Sequence, residues 1–218
     1  MPDAGAVATR AILISFAGLD GAGKTTQAGL LADWLAATGQ PVAVEAPQGP
    51  SFIRSLLNEL ASDLGISDHQ QVFGPDATAL LTALMRYRDW ADRVIPAMRT
   101  SQWLVTDRSA VCHYAAAHAV GAGNEAALRL VLGKLPSPDL TVYLDVRPEE
   151  AVRRLSLRGA GLEEASFLAA NERGYRRLPE FAGFEVVAGS GSVADVHARV
   201  RQAVSERFAQ LRCATNCT

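Results

Sequence analysis

Gly18-Leu19-Asp20-Gly21-Ala22-Gly23-Lys24-Thr25 is the segment of this 218-residue chain whose residue types and spacing are best suited to chemistry. Glycines at 18 and 23 let a backbone turn tightly and aim its N–H groups inward at an anion. Lys24 adds a mobile positive charge suited to the outer phosphates of a nucleoside triphosphate, and Thr25 a hydroxyl suited to a magnesium ion. Gly21, Ala22 and Thr26 complete the loop and the first turn of a helix whose positive end favours the same polyanion. The G-x-x-x-x-G-K-T pattern predicts a cradle for ATP with Mg2+. Two further constellations carry charge: Asp107-Arg108, and the arginines Arg153, Arg154 and Arg158.

These side chains need elements to hold them. Ala11 to Ala17 is a nearly continuous apolar run of strand length, suited to burial on both faces of a parallel sheet. After the loop, Ala28, Leu31, Ala32 and Leu35 recur at helical spacing and stop at Gly39. Strands are predicted at Pro41 to Glu45, at Trp103 to Thr106 ending in Asp107-Arg108, at Leu140 to Val146 and at Phe184 to Ala188. Between them lie helical patterns from Ser51 to Leu64, from Pro75 through Ile95, around Ala115 and Leu128, and from Pro148. Ser192, with Asp195 three residues on, predicts a cap for the final helix. This alternation implies an α/β fold, a five-stranded parallel sheet with helices on both faces. The expected organisation is a leader over 1–10, a single domain over 11–210 and a tail over 211–218. Asp107 and Arg108, at the carboxyl end of a strand, fall where such sheets place ligands.

Bulk properties narrow the partners. Hydrophobic residues make up 49% and charged residues 20%, the balance of a soluble globular protein. A net charge of -2 argues against a general nucleic-acid or membrane-surface binder. No apolar run approaches the roughly 20 residues that span a bilayer. Three cysteines, Cys112, Cys213 and Cys217, make no disulfide framework, and their odd number suits a reducing cytoplasm. The four histidines show no ligand spacing; His113 and His118 are expected at the surface or in packing.

Phe16-Ala17-Gly18-Leu19-Asp20-Gly21-Ala22-Gly23-Lys24-Thr25-Thr26-Gln27 resembles the opening of thymidylate kinases, F-x-G-x-D-G-x-G-K-T-T-Q. Arg86 and Pro96, Thr106-Asp107-Arg108, and Pro138 to Val146 fall where that family has its R, P, D-R and P-D-L-T-x-x-L-D-V elements. The resemblance covers roughly residues 11 to 210. It implies a P-loop NTPase fold with a short lid at about 153–165, and transfer of the γ-phosphoryl of ATP to a nucleoside 5′-monophosphate. On that resemblance Lys24 stabilises the migrating phosphoryl, Thr25 and Asp107 serve magnesium, Asp20 contacts the acceptor, and Arg108 clamps the acceptor phosphate. Such chemistry needs positioning and charge neutralisation more than covalent help. Because the loop itself carries no arginine, the resemblance assigns the transition-state arginines to the lid, Arg154 and Arg158. It also implies a homodimer that pairs helix faces.

The acceptor side departs from the family. The R-E-P-G-G-T-like turn reads Glu45-Ala46-Pro47-Gln48-Gly49-Pro50, and the lid turns acidic at Glu163-Glu164. Thr82 stands where the family has a phenylalanine for stacking, Met85 where an acid is common, and Ser109 where a tyrosine often follows D-R. Arg86 either hydrogen-bonds a base carbonyl or braces its helix; Arg54 either binds the acceptor phosphate or is a surface charge. Tyr87, Tyr114 and Tyr175 are candidate replacement platforms, with packing as the alternative for each. Donor-side residues kept beside altered acceptor-side residues suggest a different or modified acceptor nucleotide. Competing possibilities are an ordinary thymidylate kinase, a catalytically degenerate nucleotide-binding regulatory protein, and a P-loop kinase of a small metabolite.

Overall fold

A computed structural model describes residues 10–46, 51–159 and 165–215, without the side chains of Ser51 and 210–215. The turn Pro47 to Pro50, the lid segment with Glu163-Glu164, the leader before Arg10 and Cys217 lie outside the described residues.

The apolar runs become strands, and the three central ones are buried on both faces. Strands β1 (Ile12–Gly18), β2 (Val42–Glu45), β3 (Trp103–Asp107), β4 (Leu140–Asp145) and β5 (Glu185–Ala188) form one sheet in the order β2-β3-β1-β4-β5. Every pairing is parallel, as the β-α-β alternation requires. Alternate residues of β1 serve two cores. Ile14 and Phe16 pack with Leu31, Val142, Val200 and Val204 on one face; Leu13 and Ala17 pack with Trp90, Leu104, Leu128 and Tyr175 on the other.

Nine α-helices are described: α1 (Lys24–Ala36), α2 (Ser51–Asp63), α3 (His69–Asp89), α4 (Ile95–Thr100), α5 (Ala110–Ala119), α6 (Glu125–Leu132), α7 (Pro148–Leu157), α8 (Ala165–Arg177) and α9 (Val193–Thr215). Two details differ from the sequence expectation. Helix α3 begins at His69 rather than Pro75, with Asp68 accepting from the Gln70 amide, and kinks at Gly74 (φ 73, ψ 159) before Pro75 restarts it. The expected run through Ile95 is interrupted by a π-helical turn, Trp90–Val94, which inserts fully buried Trp90 and Val94 into the core. At α9 the expected cap forms reciprocally: Ser192 Oγ lies 2.7 Å from Asp195 Oδ2, and the Asp195 amide donates back to Ser192 Oγ at 3.2 Å. Among the described residues no helix is long and apolar enough to cross a membrane.

Candidate active site

The turn from β1 into α1 is built for close approach. At Gly21 (φ +84) an added Cβ would lie 2.6 Å from the Ala151 carbonyl oxygen, so the loop can rest on α7 only as glycine. Gly23 occupies the cap position of α1 in left-handed conformation (φ 98), without a side-chain cap. The first-turn N–H groups of α1, from Lys24 through Thr26, therefore open toward the cleft without a capping side chain. Ala22 is buried beneath them.

Sheet register supplies the next component. Phe16 pairs with Asp107 across β1 and β3, so the strand-end carboxylate lies beside the loop. The Thr25 hydroxyl donates to Asp107 Oδ2, whereas Asp107 Oδ1 is buried without a hydrogen-bond partner among the described residues. A hydroxyl and an unsatisfied carboxylate oxygen together make a hard-oxygen donor set suited to a divalent cation that takes its other oxygens from phosphate and water.

Lys24 is 5% exposed, and its ammonium donates to the carbonyls of Gly18 (3.0 Å) and Leu19 (2.7 Å) and to Asp20 Oδ1 (3.3 Å). The same Asp20 oxygen accepts from the Arg108 guanidinium. Burial disfavours a charged Asp20, but Arg108 and Lys24 beside it outweigh burial and hold its carboxyl well below the ordinary 3.8. Burial likewise opposes charge on Arg108, yet Asp20 raises its pKa above the ordinary value. Lys24 is pulled down, first by burial and then by the Arg108 charge. Arg108 has φ 92 and is the one non-glycine residue with positive φ among the described residues; its N–H donates to the Phe16 carbonyl at 3.1 Å. Strained backbone of this kind persists where the surroundings over-determine it, as at functional sites.

Asp20, Gly21, Gly23, Lys24, Thr25, Thr26, Asp107 and Arg108 line one open cleft of about 250 Å³, joined by Leu155 and Arg158 from the end of α7. Arg154 does not reach this lining: its guanidinium is held by Glu150 (2.7 Å) and by the Gly189 carbonyl (2.9 Å). Arg153 pairs with Glu150 at 2.7 Å on the exposed side of the helix.

The acceptor-side expectations divide. For Tyr175, a candidate platform with packing as the alternative, the packing alternative holds: it is 1% exposed, its hydroxyl donates to the Gly18 carbonyl at 3.3 Å and its ring meets Tyr143 edge-on. It braces the loop from below. Burial, together with neighbouring Cys112, pushes its hydroxyl pKa up. Tyr114 is likewise buried, beneath the Arg129 guanidinium, and Tyr87 is exposed on α3. Thr82 turns its hydroxyl back to the Ala79 carbonyl at 2.9 Å. Arg54 is exposed on α2.

Arg86 is 3% exposed, and its Nε–H donates to Nε2 of His113 at 2.9 Å. Burial first, then the charges of Arg86 and Arg108, push His113 down to about 3. Residue spacing missed this histidine, because its partner lies on another helix.

Cations from the loop, from the end of β3 and from α7 thus converge on one cleft, an arrangement suited to a polyphosphate and of the kind a P-loop phosphotransferase uses. Comparison with known proteins narrows the class. The thymidylate kinase family model matches residues 16–200. The thymidylate kinase of Caldanaerobacter subterraneus subsp. tengcongensis is 30% identical over 207 residues, covering 90% of this chain and 96% of that protein. A probable thymidylate kinase of Pyrococcus abyssi is 30% identical over 192 residues (86% and 93%). That of Bacillus licheniformis is 28% identical over 207 residues (89% and 95%). The chain belongs to the thymidylate kinase family, and its class of activity is nucleoside monophosphate kinase.

Proposed function

We propose that this chain is a magnesium-dependent kinase that passes the γ-phosphoryl of ATP to thymidylate or a closely related nucleoside 5′-monophosphate. One observation carries the reading: Lys24, Thr25, Asp107, Arg108 and Asp20, from three elements, line a single cleft beside a glycine-built helix N-terminus. In this reading the amides of residues 21 to 26 and Lys24 hold the triphosphate. Thr25 and Asp107 hold the metal, which supplies charge neutralisation and orientation of the phosphates. Arg108 clamps the acceptor phosphate with Asp20 fixing its direction, and Arg158 reaches the transferring group from α7. Arg86 faces the acceptor base and Arg54 its phosphate. The test is ADP release with Mg-ATP and a panel of nucleoside monophosphates. Turnover that requires both magnesium and an acceptor is expected. ATP binding without transfer to any monophosphate would overturn the reading in favour of a degenerate regulator.

The replaced base platform favours a second reading, a modified acceptor. Thr82 offers no ring, and Tyr114 and Tyr175 are buried. Base–aromatic stacking is worth roughly 1–3 kcal/mol, so its loss weakens thymidylate about ten- to a hundredfold unless another ring, such as the exposed Tyr87 of α3, replaces it. Preference for another pyrimidine monophosphate in the same panel supports this reading; thymidylate use at ordinary family efficiency removes it.

A homodimer is also proposed. Phe52, Leu56 and Leu60 recur every four residues along α2 and, with Leu81, Leu84 and Met85 of α3, remain exposed. Sedimentation at micromolar concentration should give twice the mass of the 23.1 kDa chain. A cytoplasmic location is proposed from the cysteine content alone.

A further inference from the structure

Arginine has donors only, so the atom that accepts from Arg86 Nε must carry a lone pair. That atom is Nε2 of His113, 2.9 Å away, which fixes the imidazole as the neutral tautomer with hydrogen on Nδ1. The charges of Arg86 on α3, Arg108 before α5 and Arg54 on α2 add to burial in disfavouring a proton on this ring. A carboxylate at this position would bond Arg86 equally well but cancel its charge. A neutral imidazole satisfies the buried N–H and leaves the charge intact. Asp89, one turn along α3, is at 4.0 Å from Arg86 Nη1, and is shared with Arg93.

We propose that His113 is a positioning residue of the acceptor site: as a neutral hydrogen-bond acceptor it fixes the plane of the Arg86 guanidinium while leaving its positive charge available to the acceptor base. The role rests on Arg86 contacting the acceptor, and it goes beyond that reading by assigning a function to a residue of α5 that touches Arg86 rather than substrate.

Wild type, His113→Leu, His113→Gln and His113→Glu are compared by ADP release, varying thymidine 5′-monophosphate and ATP separately. His113→Leu should raise the acceptor KM about tenfold, the effect of losing one hydrogen bond to a charged group, with the ATP KM within about twofold. His113→Gln, whose amide oxygen can replace Nε2, should recover most of that loss. His113→Glu should not, because it neutralises Arg86. In parallel, nitrogen-detected NMR of the imidazole should find Nε2 unprotonated from pH 5 to 8 in wild type. Equal acceptor KM values for the leucine and glutamine variants, a parallel rise in ATP KM, or a protonated Nε2 at neutral pH would each overturn the role. Should wild type phosphorylate no monophosphate, the kinase reading fails separately, and the nitrogen spectrum alone decides the His113–Arg86 pairing.

Discussion

The backbone at Arg108 allows a charge effect and a strain effect to be separated with two substitutions. Arg108→Ala and Arg108→Gly both remove the ion pair with Asp20, whose two side chains are each 30% exposed. At that exposure solvent screening limits the pair to about 1 kcal/mol, and both variants lose it equally. They differ in the backbone. At φ 92 an alanine Cβ keeps the left-handed strain, whereas glycine adopts this region freely. The strain is worth about 1–2 kcal/mol, partly offset by the greater freedom glycine has in the unfolded chain. Arg108→Gly should therefore be more stable than Arg108→Ala by about 1 kcal/mol in urea unfolding. For a chain of this length that corresponds to a melting point higher by roughly 2–4 °C. Both variants should lose turnover together, because both lack the guanidinium. If Arg108→Ala proves as stable as Arg108→Gly, the backbone there is unstrained and the inference from its φ is wrong.

Lys24→Ala removes a buried ammonium from the phosphate loop and should lower kcat by about a hundredfold or more, read as ADP release, with weakened heat of Mg-ATP binding in calorimetry. Gly21→Ala forces a Cβ to within 2.6 Å of the Ala151 carbonyl at φ +84, and should cost about 2 kcal/mol or more in thermal unfolding. Asp20 has a folded pKa below its ordinary 3.8, so its stabilising contribution is complete above that value and is lost as pH falls toward the folded pKa. Asp20→Asn should accordingly flatten stability below about pH 4 in acid titrations followed by circular dichroism, relative to wild type.

Much of the fold was legible because its three central strands are covered on both faces, which writes them as apolar runs, and because glycine spacing marks the β1–α1 turn. The shape of the glycine loop was legible too, because that loop is local: one strand, one turn and one helix start form it. What escaped the sequence was partnership between distant side chains. Arg154 shares a helical face with Arg158, yet Glu150 and the Gly189 carbonyl hold it away from the cleft. Tyr175 could read as platform or packing, and only the fold shows that α8 sets it under the Gly18 carbonyl. His113 carries no spacing signal, because its partner stands 27 residues earlier on another helix. The π turn at Trp90–Val94 keeps an apolar pattern that a regular helix would also show; the extra residue per turn is set by fitting Trp90 into the core.

Placing Lys24 and Arg108 around one carboxylate has an electrostatic consequence. Two cations so close repel, and in water they would separate; Asp20 holds both in a fixed geometry, with the Asp107 carboxylate beside them. The neutral His113 does the same for Arg86 without cancelling its charge. On the proposed reading, positive charge is thereby oriented before a phosphate arrives, and little reorganisation is left for the transfer itself, which is the condition under which such charges lower a barrier most. The strain at Arg108 and the burial of Lys24 and Arg86 lower the stability of the fold. The extensive apolar cores on both sheet faces offset that cost, so activity and rigidity in this chain should decline together when those cores are loosened.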